Sequence, residues 1–377
     1  MTQQKGMPPF CPALLLVAAL VATASPYKLP DFSWDALPVA WHSAVPTRDL
    51  ADADLAVLRR YPLVTLEKTS GAATLHWDPA TLKWRVPITC QVGSDPTKCG
   101  CCQEDNFVRH ATQLKAANPR MHIVAYMNTE IAYPWYRSAR PFLRSPANWL
   151  RNSTGQLTHG TPGASWYDWD FTQPALGRLW MEMCLNVTAS GVVDGCFMDG
   201  CKQLPGALSP ANRTLYLKNK AAWQQQLQRA VPGLLVCGSG GTFVSGVAAT
   251  QVQNWGGPGG NWSGYSYQLP MLFAAVAAGK VFEAHAACGS GLPSDPEEQT
   301  RVAAFLVAAG ERSYYLCGGW ETASGALTWP PLFDAPLGAP LGNATLSPDG
   351  VYTRRFARGT VAEFDTTTNS GRITWGH

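Results

Sequence analysis

Apolar and polar positions along this 377-residue chain follow two alternating patterns. Short apolar runs bounded by Gly, Pro or charged residues fall at residues 63–67, 122–127, 166–170, 192–199, 234–237, 250–255, 281–285 and 313–317. Runs of this length predict buried parallel strands. Between most of them, apolar residues recur at three- and four-residue spacing over 49–60, 104–117, 173–189, 210–230, 265–278 and 297–309, which predicts helices. Breakers agree with these limits: Asn118-Pro119 ends the second helix and Pro232-Gly233 the fourth. Eight strands separated mostly by helices predict an α/β fold, a closed (β/α)8 barrel of TIM type over residues 61–325. An open doubly wound sheet is the alternative, but Glu67-Lys-Thr-Ser-Gly-Ala-Ala lacks the G-x-G-x-x-G loop that such a sheet uses for dinucleotides.

The flanks differ from this alternation. Residues 25–60 read as an extended, Pro- and aromatic-rich lead-in followed by the first helix. After residue 325, period-two segments at 352–356, 360–364 and 372–375 with Gly and Asn turns predict a small antiparallel β unit over 326–377. At the other end, Lys5, the apolar stretch 13–22 and the small residues Ala22-Thr23-Ala24 read as a signal peptide over 1–24. That stretch is too short for a permanent span. The expected address is secreted or luminal, with no membrane association after cleavage.

Composition sharpens the address and narrows the chemistry. Apart from Cys11 in the signal segment, the cysteines are Cys90, Cys99, Cys101, Cys102, Cys184, Cys196, Cys201, Cys237, Cys288 and Cys317, an even set that reads as disulfides in an oxidising compartment. Cys90, Cys99, Cys101 and Cys102 lack the paired C-x-x-C knuckles of a zinc site. Sequons at Asn152, Asn186, Asn212, Asn261 and Asn343 fit the same route. The net charge is only +3 and no Lys/Arg block occurs, which argues against nucleic acid as a partner. The 15 Trp, 12 Tyr and 13 Phe offer flat faces that can stack on sugar rings as well as fill a core.

A TIM barrel gathers function at the C-terminal ends of its strands. Those ends carry Glu67 and Lys68, then Tyr126, Asn128 and Glu130, then Asp168 and Asp170, Asp199, Gln253 with Trp255, Glu283 with His285, and Trp320. Asp199 stops the apolar run Val192-Val-Asp-Gly-Cys-Phe-Met and is the first catalytic candidate. No nucleophile elbow, phosphate loop or H-E-x-x-H helix occurs, so serine hydrolysis, nucleotide chemistry and zincin proteolysis lose support. Paired carboxylates with aromatics suit glycosidic bond cleavage, in which one acid protonates the leaving oxygen and the other attacks the anomeric carbon or activates water. Strand alternation puts Val281, Glu283 and His285 on one face, and burial beside Phe282 and Ala284 would raise the Glu283 pKa as an acid/base requires.

The expectation is Asp199 as nucleophile and Glu283 as acid/base. Glu67, Lys68, Tyr126, Asn128, Glu130, Asp170, Gln253, Trp255, His285 and Trp320 are expected to bind an oligo- or polysaccharide. No cofactor is expected. Structural roles compete at several positions: Asp194 reads as a turn cap, Asp170 as the helix-entry cap of Asp-Phe-Thr-Gln-Pro, and Glu283 as an ion-pair partner. A divalent-metal site at Asp168, Asp170, Asp199 and His285 is a further alternative. So is a barrel that binds sugar without cleaving it.

Four segments carry a family resemblance: Tyr61-Pro-Leu-Val-Thr-Leu-Glu-Lys, Trp166-Tyr-Asp-Trp-Asp-Phe, Val193-Asp-Gly-Cys-Phe-Met-Asp-Gly and Tyr352-Thr-Arg-Arg-Phe-Ala-Arg-Gly-Thr-Val. Their order resembles the α-galactosidase-like barrels, especially the endo-α-1,4-galactosaminidase group of glycoside hydrolases. The resemblance implies hydrolysis of α-linked sugars and a catalytic acid at the end of the fourth strand, which falls on Asp199. It also implies a second carboxylate on the sixth strand, where this chain offers Gln251, Gln253 and Asn254. Either Glu283 on the next strand fills that role, or the protein binds sugar without cleaving it.

Overall fold

The computed structural model describes residues 27–72, 76–78, 83–85, 102–158, 168–201, 204, 208–238, 244–257, 264–287 and 291–376. The expected signal segment, Asn261, Trp166 and Cys90, Cys99, Cys101 and Cys288 lie outside the described residues. Eight parallel strands, each apolar enough to be buried on both faces, close into a barrel. They are β1 (Val39–Ser43), β2 (Leu63–Leu66), β3 (His122–Asn128), β4 (Gly195–Asp199), β5 (Leu235–Cys237), β6 (Ala249–Val252), β7 (Val281–Ala286) and β8 (Ser313–Cys317). Each pairs with its sequence neighbour, and β1 pairs with β8 through Val39 opposite Tyr315 to complete the ring.

The connecting helices are α1 (Asp52–Leu58), α2 (Gln103–Ala117), α3 (Pro174–Thr188), α4 (Pro210–Ala230), α5 (Tyr265–Ala277) and α6 (Pro296–Ala308). Local chemistry sets their starts. Ser209 accepts from the Asn212 N–H ahead of α4, and Asp295 accepts from the Glu297 and Glu298 N–H groups ahead of α6. Proline occupies the first position of α3, α4 and α6, where its missing N–H costs no helical hydrogen bond. Disulfides join Cys184 of α3 to Cys196 of β4, and Cys201 just past β4 to Cys237 of β5.

One strand assignment changes. Of the run read at 166–170, the described residues 168–170 do not supply a barrel strand: Asp168 and Trp169 make only isolated bridges to Ile131 and Trp149, because β3 pairs directly with β4 through Val124 opposite Gly195. The remaining barrel strand is β1, within the segment read as a lead-in. Val39-Ala-Trp-His-Ser is a fully buried run between Pro38 and Pro46, too short to show a period against its Pro-rich surroundings.

The flanks pack against the foot of the barrel and against α6. At the foot, Tyr314 donates its hydroxyl to the Asp31 carbonyl at 3.0 Å, and the Lys28 N–H donates to the Pro232 carbonyl at 2.8 Å. Asp194 lies at this foot, accepting from Lys115 at 2.7 Å and the Ile123 N–H at 2.8 Å, with Lys28 at 3.5 Å. It therefore ties strands together far from the mouth. The C-terminal segment forms a four-stranded antiparallel sheet of β9 (Thr345–Leu346), β10 (Val351–Arg355), β11 (Val361–Asp365) and β12 (Ser370–Thr374). It rests on α6, where Arg354 donates to the Leu306 and Ala309 carbonyls at 2.9 and 2.5 Å.

Register decides which side chains enter the barrel. His42 of β1 is level with Thr65, Thr65 with Val124, and Tyr126 with Phe197, and alternation carries Asn128 and Asp199 to the same inward face. On the far side Gln251 is level with Glu283, and Glu283 with Tyr314. Glu67, Asp199, Gln251, Glu283 and His285 therefore share the interior, with Asp199 at the C-terminal mouth.

Candidate active site at the barrel mouth

Asp199 is the last residue of β4, and donors converge on both of its oxygens. The Tyr126 hydroxyl donates to Oδ2 at 2.5 Å, Asn128 Nδ2 donates to the same oxygen at 3.2 Å, and the Gly200 N–H donates to Oδ1 at 3.0 Å. Tyr126 and Asn128 come from the neighbouring strand β3 and reach Asp199 because the two strands run in register, Asn128 opposite Asp199. A carboxylate held this way presents a fixed face to whatever enters the mouth.

Beside it, Glu67 accepts from the Lys68 N–H at 2.6 Å and from Lys68 Nζ at 2.9 Å, while His42 Nε2 lies 3.6 Å from its other oxygen. Burial alone would raise the Glu67 carboxyl, but Lys68 and His42 outweigh it and hold it down to about 2. Lys68 Nζ also sits 4.7 Å over the Tyr126 ring, so a cation flanks the side chain that orients Asp199.

Glu283 points inward as strand alternation expects, but it lies deeper than the mouth. It is 0% exposed and accepts from Gln251 Nε2 at 2.7 Å; that same nitrogen is 2.8 Å from His42 Nδ1. Burial pushes the Glu283 carboxyl up to about 7, with Gln251 opposing weakly. Among the described residues its neighbours in the network are an amide and, through that amide, an imidazole, with no ion pair.

A second acid occupies the rim. Glu130 is half-buried on the loop after β3, and a methyl added at Gly200 would come within 2.6 Å of Glu130 Oε2. Burial raises its carboxyl to about 7, with Lys220 opposing and the nearby Asp199 and Asp168 reinforcing the rise. Lys220, buried on α4, donates to the Gly200 carbonyl at 2.7 Å. Its ammonium is lowered to about 8 by burial against the pull of Glu130 and Asp199.

Of the aromatic candidates, Trp320 joins the site and Trp255 does not. Trp320 is 37% exposed, lies 4.1 Å from His285 in a near-parallel stack and meets His42 edge-on at 5.2 Å. Burial, together with His42, lowers the His285 imidazole to about 3, so a neutral ring backs the exposed indole. Trp255 instead turns outward, donating to the Arg301 carbonyl and packing on Tyr265 and Phe282. Gln253 is half-buried just past the end of β6. Asp170 is occupied in the turn before α3, accepting from the Thr172 N–H at 3.1 Å and Gln173 Nε2 at 2.9 Å. Asp168, Asp170, Asp199 and His285 therefore do not converge, and among the described residues no three His, Cys, Asp or Glu side chains form a metal-binding group.

Two site residues escape the sequence patterns. His42 rides on the unrecognised β1, although the apolar run between two prolines is a usable strand signal. Lys220 lies in the middle of a helix whose pattern gives no sign that its ammonium reaches the end of β4.

A family model described as hypothetical glycosyl hydrolase family 15 matches residues 294–360, from α6 through β8 into the C-terminal sheet. A search of curated proteins finds no match. Among solved structures, the glycoside hydrolase domain of a PelA variant from Pseudomonas aeruginosa is 14% identical, over 74% of this chain and 99% of that one, with a TM-score of 0.41. Ega3 from Aspergillus fumigatus, solved with galactosamine, is 8% identical over 81% of this chain and 98% of its own, with a TM-score of 0.40. A variant of the GH36 α-galactosidase AgaA from Geobacillus stearothermophilus is 13% identical over 90% of this chain and 49% of its own, with a TM-score of 0.49. The chain thus spans about half the length of AgaA. The family model is described as a glycosyl hydrolase, the PelA domain as a glycoside hydrolase and AgaA as an α-galactosidase.

Proposed function

We propose that this protein hydrolyses glycosidic bonds of an oligo- or polysaccharide at the C-terminal mouth of its barrel, with Asp199 attacking the anomeric carbon. The observation that carries the reading is the position of Asp199: an inward-facing carboxylate at the end of β4, with both oxygens fixed by Tyr126, Asn128 and the Gly200 N–H. Trp320 supplies an exposed ring at the same mouth on which a sugar can stack. The partial match to a glycosyl hydrolase family model supports the reaction class.

Retention of configuration follows from an attacking carboxylate. An α-linked substrate is the expectation carried from the family resemblance, and the anomer accepted decides it. The Cys184–Cys196 and Cys201–Cys237 disulfides support a secretory location.

The test is Asp199→Asn against a panel of polysaccharides and aryl glycosides of both anomeric configurations. Loss of reducing-end release with an unchanged circular dichroism spectrum is expected. Undiminished turnover in that variant ends the proposal. Glycan binding without cleavage by the wild type would instead make the barrel a sugar-binding protein.

A further inference from the structure

We infer that Glu130, rather than Glu283, is the acid that protonates the leaving group, and that Lys220 is the positioning residue that tunes it. The inference rests on the hydrolase reading above, but on different residues. A proton donor must touch the glycosidic oxygen, so it has to reach the space in front of Asp199. Glu283 is sealed at 0% exposure below the mouth and bound to Gln251. Glu130 is half-buried at the rim.

The geometry around Gly200 brings the two acids together. Asp199 Oδ1 accepts from the Gly200 N–H at 3.0 Å, and Glu130 Oε2 lies 2.6 Å from where a Gly200 side chain would begin. Adding the backbone span between those points leaves the two carboxyl groups no more than about 8 Å apart. Two-carboxylate hydrolases work at about 5–5.5 Å when retaining and 6.5–9.5 Å when inverting. One glycine thus serves both acids, its N–H orienting Asp199 while its bare α-carbon makes room for Glu130.

The groups facing Glu130 are Asp199 from β4, Asp168 from the rim segment, and Lys220 and Tyr216 from α4. Two acids and one ammonium act on it in opposite senses, and Lys220 is anchored by its bond to the Gly200 carbonyl at 2.7 Å. A carboxyl in such company holds its proton near neutrality and can release it in the reaction.

In the first step Asp199 donates an electron pair to the anomeric carbon while the bond from that carbon to the leaving oxygen breaks. The leaving oxygen keeps the bonding pair and takes the Glu130 proton. This yields a free alcohol, a glycosyl ester on Asp199 and a Glu130 carboxylate. Water then attacks the anomeric carbon and gives its proton to Glu130, and the ester bond breaks to restore the Asp199 carboxylate and release the sugar.

The test uses the full chain with 4-methylumbelliferyl and 2,4-dinitrophenyl glycosides of hexoses and N-acetylhexosamines in both anomeric forms. Glu130→Gln is expected to lose roughly a thousandfold in kcat/KM on the methylumbelliferyl substrate, whose leaving group needs a proton. The loss is expected to be far smaller on the dinitrophenyl substrate, and azide is expected to restore part of the dinitrophenyl turnover. Lys220→Met is expected to move the alkaline limb of the pH–rate profile upward by about one unit. Lys220→Arg, which keeps the cation, is expected to hold the limb in place and serves as the control if the Met variant folds poorly.

If Glu130→Gln matches the wild type on both substrates, or if Glu283→Gln shows the leaving-group signature instead, the assignment is overturned while Asp199 keeps its role. If the wild type turns over no probe, the hydrolase reading falls and the assignment falls with it; if Asp199→Asn remains active, Asp199 is not the nucleophile and the acid placed by its nearness to Asp199 is overturned.

Discussion

The hydroxyl of Tyr126 donates to Oδ2 of Asp199 across 2.5 Å, from one strand of the barrel to the next. A hydrogen bond to a charged group is worth about 1.5–3 kcal/mol, and its loss here would free the carboxylate to turn away from the mouth. Tyr126→Phe should therefore lower kcat by about 10- to 100-fold. The melting temperature should change little, since the ring keeps its stack on Phe197. Steady-state kinetics paired with thermal melts would check both halves.

Gly200 adopts φ +65°, a conformation that side chains rarely accept, and a methyl there would meet Glu130 at 2.6 Å. Gly200→Ala should cost about 1–3 kcal/mol from backbone strain. Activity should fall further than the stability loss explains, because the Glu130 carboxyl must shift. Denaturant titration alongside kinetics separates the two effects, and activity tracking stability alone would contradict the placement of Glu130.

The buried Glu283 carboxyl binds its proton up to about pH 7, whereas the unfolded chain releases it near 4.3. Between those values the folded state holds more protons, so this contribution to stability is complete below about pH 4.3 and declines as pH rises through 7. The decline should be on the order of 3 kcal/mol. Glu283→Gln, neutral at every pH, should flatten the stability profile between pH 5 and 8. Chemical denaturation at those two pH values is the measurement.

The two tryptophans placed together by sequence should separate cleanly under mutation. Trp320→Ala removes an exposed platform and should raise KM about tenfold with little change in stability. Trp255→Ala empties a packed site between the barrel wall and α6, at a cost of about 3–5 kcal/mol.

Arg354 is buried where the C-terminal sheet meets α6, and its guanidinium satisfies the last carbonyls of that helix. Arg354→Met should lower stability by about 1–3 kcal/mol through the carbonyls left without donors. Limited proteolysis should then cut first within residues 336–377. Cleavage beginning in the barrel instead would show that the sheet is anchored elsewhere.

Much of this was legible in the chain because buried parallel strands announce themselves as apolar runs. Residues 122–127, 281–285 and 313–317 all read as strands and sit in the ring. Asp199 was legible for the same reason, as the polar residue that stops such a run. The failures share a cause. At Val39–Ser43 and 168–170, composition alone could not tell a barrel strand from a segment that pairs elsewhere, since closure depends on partners distant in sequence. Trp255 and Glu283 show the second limit. Strand alternation gave the inward direction of Glu283, but not its depth below the mouth, and it could not carry past the turn at Asn254, whose φ of +55° redirects the chain and sends Trp255 outward.

The pairing of Val39 with Tyr315 has a bearing on how the molecule is made. The first strand to leave a ribosome is the one whose second edge stays unsatisfied until the last strand arrives, so the ring cannot shut while synthesis is under way. During that interval a strand destined for full burial offers its open edge to any neighbouring chain. Yield from recombinant expression should therefore depend more on chaperone supply than on the stability of the finished protein.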